Sequence, residues 1–343
     1  MDPLAAIDLT LKRDVPKGSK KSPPLGPPIE DKPTKASKPA PEPVETGGGQ
    51  VIDFSLVRDT DPGDRPVVGA LSRILDGAIA YHAAERYKKG RGAGNGQVAK
   101  KRIGAGYIGL ECDRQLAFKY HKIPFDERAP EDEFVTKGEL QRHAESGHWA
   151  ESKTVDWFRE AGFIVETEVP GEIGYDGGPK QHGFYAGVDP VTGKYRLAGE
   201  VDGVITKLPE SVPEEFALDL ATIREAFGEP PIIWESKKAT DKKWKKFKKV
   251  GVRDADPKYF GQLQTCMAHM QVPRVLFSML NLDNMKYFFE IIDFDPAYAQ
   301  GLIDRAAKVI TSQSPQEFAR MAATHTDHRC RFCDWKQSCW EMR

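Results

Sequence analysis

The chain of 343 residues lacks long apolar runs, a signal-like start and an excess of either charge. A membrane-spanning helix needs about 18 or more consecutive apolar residues, and the sequence has no such run. The first residues lack the basic segment and apolar stretch of a secretory signal. With 50 basic and 51 acidic residues the net charge is −1, which excludes a uniformly basic coat but not a local basic patch. We therefore expect a cytoplasmic protein with no membrane partner.

Cysteine is scarce as well. The sequence has five cysteines, and three of them lie among its last 14 residues. An odd number crowded at one end argues against the disulfide framework of a secreted protein. The pattern predicts reduced thiols that hold a metal.

Proline is concentrated in residues 1–66, which contain 12 of the 25 prolines and few aromatic residues. Such a segment buries too little apolar surface to offset the entropy of ordering, so we predict a disordered tail. The tail either recruits a recombinase or replication partner or only keeps the protein in solution.

The remaining chain divides into an extension and a main domain. Residues 67–104 predict a helix followed by a basic glycine loop at 88–96. No strand precedes this loop and no Gly-Lys-Ser/Thr follows it, so we expect no ATP binding. Residues 105–343 predict the main domain, with an insertion at 206–231.

The main domain alternates between helical and strand-like periodicity. This order predicts an α/β fold in which helices flank a central mixed β-sheet. The predicted elements are a helix at Phe134–Ala161, strands at Phe163–Val169, Tyr195–Ile205, Ile232–Lys238, Val275–Leu280 and Tyr287–Asp293, and helices at Pro257–Met270 and Pro296–Thr311.

Two of these strands carry charges that a buried sheet tolerates poorly. Asp202 lies in the first, and Glu235, Ser236 and Lys237 lie in the second. Residues i and i+2 of a strand share a face, so Glu235 and Lys237 point the same way. Two carboxylates suit a hard divalent cation, and a lysine can position the attacking water or neutralise developing charge. The set predicts metal-assisted hydrolysis of a phosphodiester.

Asp202 followed by the Glu235-Ser236-Lys237 triplet resembles the signature of the PD-(D/E)XK nuclease superfamily. Gly147-His148-Trp-Ala-Glu151 upstream and Tyr259-Phe-Gly-Gln262 downstream resemble two further motifs of its RecB, AddB and Cas4-like branch. All four elements occur in the family's order. The resemblance implies a restriction-endonuclease-like core and a metal-dependent deoxyribonuclease.

The resemblance also implies roles for individual residues. Lys237 would serve the attacking water, while the remaining catalytic candidates, Glu151, Tyr259 and Gln262, would lie near the active site. The implied ligands of Mg²⁺ or Mn²⁺ are Asp202, Glu235, His148 and the backbone carbonyl of Ser236.

The C-terminus contains Cys330, Cys333 and Cys339, at C-x2-C-x5-C spacing that predicts a metal site needing a fourth ligand. Cys112 is the candidate, in a Cys-x-Arg-Gln-Leu segment that resembles the one preceding the nuclease core in AddB and Cas4-like enzymes. The resemblance implies a 4Fe–4S cluster that staples the C-terminus to the start of the domain. Zinc at the same cysteines, or with His325 or His328 in place of Cys112, is the alternative.

A basic run follows the second charged strand directly. Its lysines predict salt-sensitive contacts with nucleic acid of little sequence preference, and its two aromatic residues predict stacking on unpaired bases. A solvated surface is the alternative. The residues concerned are Lys242, Lys243, Trp244, Lys245, Lys246 and Phe247.

These observations predict a nuclease that cleaves DNA with Mg²⁺ or Mn²⁺, and the resemblance implies an exonuclease acting on DNA ends in phage or bacterial recombination or repair. One alternative is a non-catalytic iron–sulfur protein that binds DNA or assembles partners. Another is a Cas4-like trimming nuclease in CRISPR adaptation.

Overall fold

The computed structural model describes residues 74–75, 77–79, 81–82, 98–126, 137–174 and 178–342. The tail predicted for residues 1–66 and the glycine loop at 88–96 lie outside the described residues. The helical pieces at 74–75, 77–79 and 81–82 agree with the helix predicted in this part of the chain.

Strands and helices follow one another from residue 98. The strands are β1 (Val98–Gly104), β2 (Ile164–Glu166), β3 (Glu168–Ile173), β4 (Pro179–Gln181), β5 (Gly183–Val188), β6 (Tyr195–Glu200), β7 (Gly203–Lys207), β8 (Ile232–Ala239), β9 (Arg274–Asn281) and β10 (Tyr287–Asp293). The α-helices are α1 (Ala105–Ile108), α2 (Asp113–Tyr120), α3 (Lys137–Glu160), α4 (Ala217–Phe227), α5 (Asp241–Ala255), α6 (Pro257–Met270), α7 (Pro296–Thr311) and α8 (Lys336–Glu341). Among the described residues, none of these helices has the length and apolar character needed to cross a membrane.

A five-stranded mixed sheet forms the centre, with strand order β10-β9-β8-β7-β2. Strands β8 and β9 are parallel, whereas β7 runs antiparallel to β8 and β10 antiparallel to β9. A second sheet has the order β1-β6-β5, and β3 pairs with β4. The predicted mixed α/β architecture is thereby confirmed.

Alternate residues of β8 face two different hydrophobic clusters, as the pleat of a strand requires. Ile233 packs in the larger cluster, together with residues of α5, α6 and α7. Ile232 and Trp234 pack in the smaller cluster with Val155 of α3 and Phe227 of α4. Helices therefore cover both faces of β8, and its odd-numbered residues face α6.

The strand predicted at Tyr195–Ile205 is wrong as a single element. It divides into β6 and β7, which belong to different sheets. The backbone N–H of Val201 bonds to the carbonyl of His182 beside β5, whereas Gly203 already pairs with Trp234 of β8. The chain changes sheets across residues 201–202, and alternating hydrophobicity does not reveal such a change. The strand predicted at Phe163–Val169 is likewise divided, into β2 and the start of β3.

Candidate active site and cysteine cavity

Asp202 and Glu235 meet where the pairing of β7 with β8 ends. Gly203 is opposite Trp234 in this antiparallel pair, which places the preceding Asp202 beside Glu235. The backbone N–H of Ser236 donates to Oδ2 of Asp202 at 2.7 Å. The insertion at 206–231 therefore does not prevent the predicted pairing of the two charged strands.

Lys237 lies between the two carboxylates. Its ammonium forms an ion pair with Oε1 of Glu235, lies 3.6 Å from Oδ2 of Asp202, and donates to the carbonyl oxygen of Ser236 at 3.0 Å. Burial alone would lower the pKa of Lys237, but the charges of Glu235 and Asp202 raise it above its usual value. Lys237 is therefore a fixed cation, and the prediction that it shares a face with Glu235 is confirmed.

Glu235 is a buried carboxylate, with 2% of its surface exposed. Its Oε1 accepts from Lys237 and from Nε2 of Gln262 at 2.8 Å, but its Oε2 has no hydrogen-bond partner among the described residues. Burial, followed by the charge of Asp202, raises the pKa of Glu235 to about 7, although Lys237 and Gln262 act against this rise. A buried acceptor without a partner is unfavourable, so this oxygen fits a missing ligand.

Helix α6 brings Gln262 and Tyr259 to the site, as the sequence predicts. Nζ of Lys237 lies 5.6 Å from the ring centre of Tyr259. The helix approaches the loop after α1 very closely, because a Cβ on Gly261 would lie 2.6 Å from Cα of Gly109. Only glycine permits this contact, which holds α6 in the position that aims Gln262 at Glu235.

Glu151 and His148 differ in their relation to the site, although both lie on α3. Glu151 is half-buried, and burial, followed by the charge of Asp202, raises its pKa to about 7. His148 is exposed, and none of the described contacts joins it to Asp202 or Glu235. The structure thus brings Glu151 near the carboxylates, while a metal-binding role for His148 stays a prediction.

The aromatic residues of the basic run do not face solvent. Trp244 is 8% exposed and Phe247 is 1% exposed, and Phe247 stacks on Phe277 with ring centres 5.8 Å apart. The prediction that they stack on unpaired bases is therefore wrong. The run forms the amphipathic helix α5, whose residues three apart pack onto the sheet while lysines occupy its outer face.

The lysines of α5 remain at the surface or near it. Lys242, Lys245 and Lys246 are exposed, although Lys245 pairs with Asp241 at 2.5 Å. Lys243 is half-buried and lies 4.6 Å from the ring centre of Tyr259. A row of cations thus runs along the helix that follows the Glu235 strand.

The cysteines predicted to act together line one small cavity. Gln115, Phe118 and several cationic side chains complete its walls, and the four thiols concerned are Cys112, Cys330, Cys333 and Cys339. All four are free thiols. Burial, opposed by a backbone N–H and reinforced by the neighbouring cysteines, raises the pKa of Cys333 to about 11. Neither His325 nor His328 lines the cavity, and Cys266 is fully buried elsewhere, as the sequence suggests.

Bonds between protein groups already hold the C-terminus against the segment around Cys112. Asp126 accepts from the backbone N–H groups of Gln337 at 2.6 Å and Ser338 at 3.1 Å, and thereby caps the first turn of α8. The indole of Trp335 donates to the carbonyl of Ile123 at 2.9 Å. Sequence reasoning missed Asp126, because nothing local links it to a helix more than 200 residues away.

Metal binding at the carboxylates and at the cysteine cavity requires some rearrangement of the side chains. As the side chains stand, no group of three or more His, Cys, Asp or Glu residues in the described part of the chain could hold a metal ion. Between the carboxylates, the ammonium of Lys237 occupies the position that a cation would share. The donor types nonetheless fit: carboxylate oxygens suit a hard divalent cation, and four cysteines suit an iron–sulfur cluster or zinc.

Comparisons with known proteins give only distant likenesses. No protein-family model matches the sequence, and a search of the curated proteins finds no match. Among solved structures, the chain is similar to SSO0001, with 13% identity, 77% of this chain and 94% of that chain covered, and a TM-score of 0.40.

It is also similar to LHK-Exo, an alkaline exonuclease from Laribacter hongkongensis, with 15% identity, 61% of this chain and 86% of that chain covered, and a TM-score of 0.34. The structure of LHK-Exo in complex with dAMP matches with 14% identity, the same coverage and a TM-score of 0.31. Likenesses this distant carry no argument about function, which has to be argued from the site.

Proposed function

We propose that the protein is a metal-dependent deoxyribonuclease that hydrolyses phosphodiester bonds. The observation that carries this proposal is the convergence of Asp202, Glu235 and Lys237, with one oxygen of the buried Glu235 left without a partner among the described residues. A structural ion pair would not need a second carboxylate and an unsatisfied acceptor at the same place. A hard divalent cation binds through carboxylate oxygens such as these.

The proposed metal is Mg²⁺ or Mn²⁺. Asp202, Glu235 and the carbonyl of Ser236 would hold it, with His148 or Glu151 of α3 as a further ligand. When bound, the ion supplies polarisation of the phosphoryl oxygen and lowers the pKa of a bound water.

The chain's own groups supply orientation and charge. The Lys237 ammonium stays protonated, so it can neutralise charge that develops on the phosphate and hold the attacking water. Gln262 fixes the Glu235 carboxylate through Oε1 and leaves Oε2 available. Because the pKa of Glu235 is about 7, its carboxylate is charged and ready to hold a cation above neutral pH and is increasingly protonated below it.

The lysines on α5 are the proposed contact with DNA. Exposed lysines bind phosphates without reading bases, so binding would be sensitive to salt and show little sequence preference. The helix begins two residues after the strand that carries Glu235 and Lys237 ends. DNA held by these lysines would therefore pass close to the carboxylates.

The proposed second cofactor is a 4Fe–4S cluster held by the four cysteines, with zinc as the alternative. Its support is the shared cavity, which brings Cys112 to three thiols of the C-terminus. The cluster would join the two ends of the domain and add to the bonds made by Asp126. Action from DNA ends, in recombination or repair, is the finer part of the proposal and derives from the sequence resemblance.

The test is digestion of two DNA substrates, one linear and one covalently closed, with Mn²⁺, with Mg²⁺ and with EDTA. We expect nucleotides to be released from linear DNA when a metal is present and the closed circle to persist. Cleavage of the closed circle would contradict the exonuclease assignment but would still support nuclease activity. Binding without any digestion would favour the non-catalytic alternative.

A further inference from the structure

Arg114 is a buried cation whose guanidinium is only partly satisfied by the described part of the chain. The residue is 5% exposed, and its Nε and Nη2 atoms are buried without a hydrogen bond in the described part of the chain. No carboxylate there forms an ion pair with it. A guanidinium is always charged, and burying it without an anion is strongly unfavourable. The structure therefore points to an anion that has yet to be supplied beside Arg114.

The position of Arg114 indicates which anion this is. The residue lies in the first turn of α2, and Cys112 caps that helix. Gln115 and Phe118 of the same helix line the cysteine cavity. Arg114 and Phe118 are four residues apart in this helix and therefore share one of its faces. The anion that Arg114 lacks is thus expected at the cysteines.

The two arginines that line the cavity, Arg320 and Arg329, already have partners. Arg320 donates to the carbonyl oxygens of Cys339 at 3.1 Å and Met342 at 2.6 Å, and Arg329 pairs with Asp327 at 2.8 Å. Their donors therefore serve the backbone and a carboxylate. Arg114 differs from them because it makes no such bond in the described part of the chain.

We infer that Arg114 is the fixed counterion of the iron–sulfur cluster, which donates hydrogen bonds to its anionic sulfur atoms and sets its reduction potential. The inference rests on the cluster put forward under the proposed function. Four thiolates around a cluster leave a net negative charge, which one-electron reduction increases. A buried cation stabilises the reduced form more than the oxidised form, so Arg114 raises the potential.

The test compares full-length variants purified without oxygen and matched for iron and sulfide content. The reduction potential is measured by titration with dithionite, followed by visible absorption. We expect Arg114→Gln to lower the potential and Arg114→Lys to keep it near that of the wild type. Lys122→Gln is the control, because it removes an exposed cation just beyond the same helix and is expected to leave the potential unchanged.

Equal potentials for the wild type, Arg114→Gln and Lys122→Gln would overturn the inference. If Arg114→Gln fails to hold iron, the Arg114→Lys variant is the deciding one. Iron loading by Arg114→Lys with a potential near that of the wild type would support the counterion role. Loss of iron in both variants would overturn it. A wild-type protein with zinc or no metal at the cysteines would also overturn it. The proposed nuclease activity is tested separately by metal-dependent digestion of DNA, because that activity depends on Asp202 and Glu235.

Discussion

The backbone N–H of Ser236 donates to Oδ2 of Asp202 at 2.7 Å, across 34 residues of sequence. This bond joins β7 and β8 at the point where the two carboxylates meet. Because the donor is a backbone group, Asp202 is oriented without help from a second catalytic side chain. The two carboxylates are therefore positioned by β8 and by the residue that precedes its antiparallel neighbour β7.

Replacing Gln262 tests whether the Glu235 carboxylate needs a fixed orientation. In Gln262→Ala, Oε1 of Glu235 loses one of its two partners. Groups that orient a metal ligand commonly affect activity by about 10- to 100-fold, and we expect a loss of kcat in that range. The measurement is the initial rate of nucleotide release at saturating DNA. Gln300→Ala, which removes an exposed bond to Asp304 on α7, is the matched control. Equal rates for both variants would refute the role of Gln262.

Replacing Glu151 tests the electrostatics of the site through stability. Burial raises the folded-state pKa of Glu151 to about 7, so its contribution to stability is fully present below the unfolded pKa and is lost as the pH rises through 7. Glu151→Gln should therefore be more stable than the wild type at pH 8, by on the order of 1 kcal/mol after allowance for its partial exposure. At pH 4 the difference should vanish. Urea unfolding at both pH values measures it, and a pH-independent difference would contradict the raised pKa.

Neutralising exposed lysines of α5 tests the nucleic-acid surface. The triple variant Lys242→Gln/Lys245→Gln/Lys249→Gln should bind DNA more weakly. Its log–log salt slope should be smaller by about 2 to 3, since each lost phosphate contact removes about 0.9. A charge-matched control changes Lys153, Lys180 and Lys308 to Gln. A similar loss in both triple variants would show that only net charge matters.

Truncating Phe247 separates a core role from base stacking. The ring is 1% exposed and stacked on Phe277, so Phe247→Ala should cost about 3–5 kcal/mol of unfolding free energy. Phe247→Leu should cost less and should bind single-stranded DNA like the wild type. Thermal unfolding and fluorescence anisotropy measure the two quantities. Lost DNA affinity with unchanged stability would restore the stacking interpretation.

The sequence predicted elements best where local signals mark both ends. The helix predicted at Pro257–Met270 has these bounds in the structure, because Asp256 caps its start, proline follows, and Gln271 ends it in a left-handed conformation. Gln262 could be placed at the site from its motif alone. The spacing of Glu235 and Lys237 likewise followed from the two-residue period of a strand.

Prediction from the sequence failed where tertiary contacts determine the burial of a side chain or the pairing of a strand. The lysines between Trp244 and Phe247 suggested that the two aromatic rings were free to stack on bases. Only the packing of Phe247 against Phe277 shows that this aromatic face is buried. The division of the segment at 195–205 between two sheets depends on which strands are available as partners. Arg114 stands in a recognisable motif, but only the structure shows that its Nε and Nη2 atoms are buried without a hydrogen bond to the described residues.

The most direct test is Mn²⁺-dependent release of nucleotides from linear DNA by the wild type and by Glu235→Gln, both shown by circular dichroism to be folded. The substitution keeps the shape of the side chain and removes the charge that would hold the cation. We expect release by the wild type to require the metal and the variant to lose at least about 100-fold in rate. Equal rates for the two proteins would contradict the assignment of the active site to Asp202, Glu235 and Lys237.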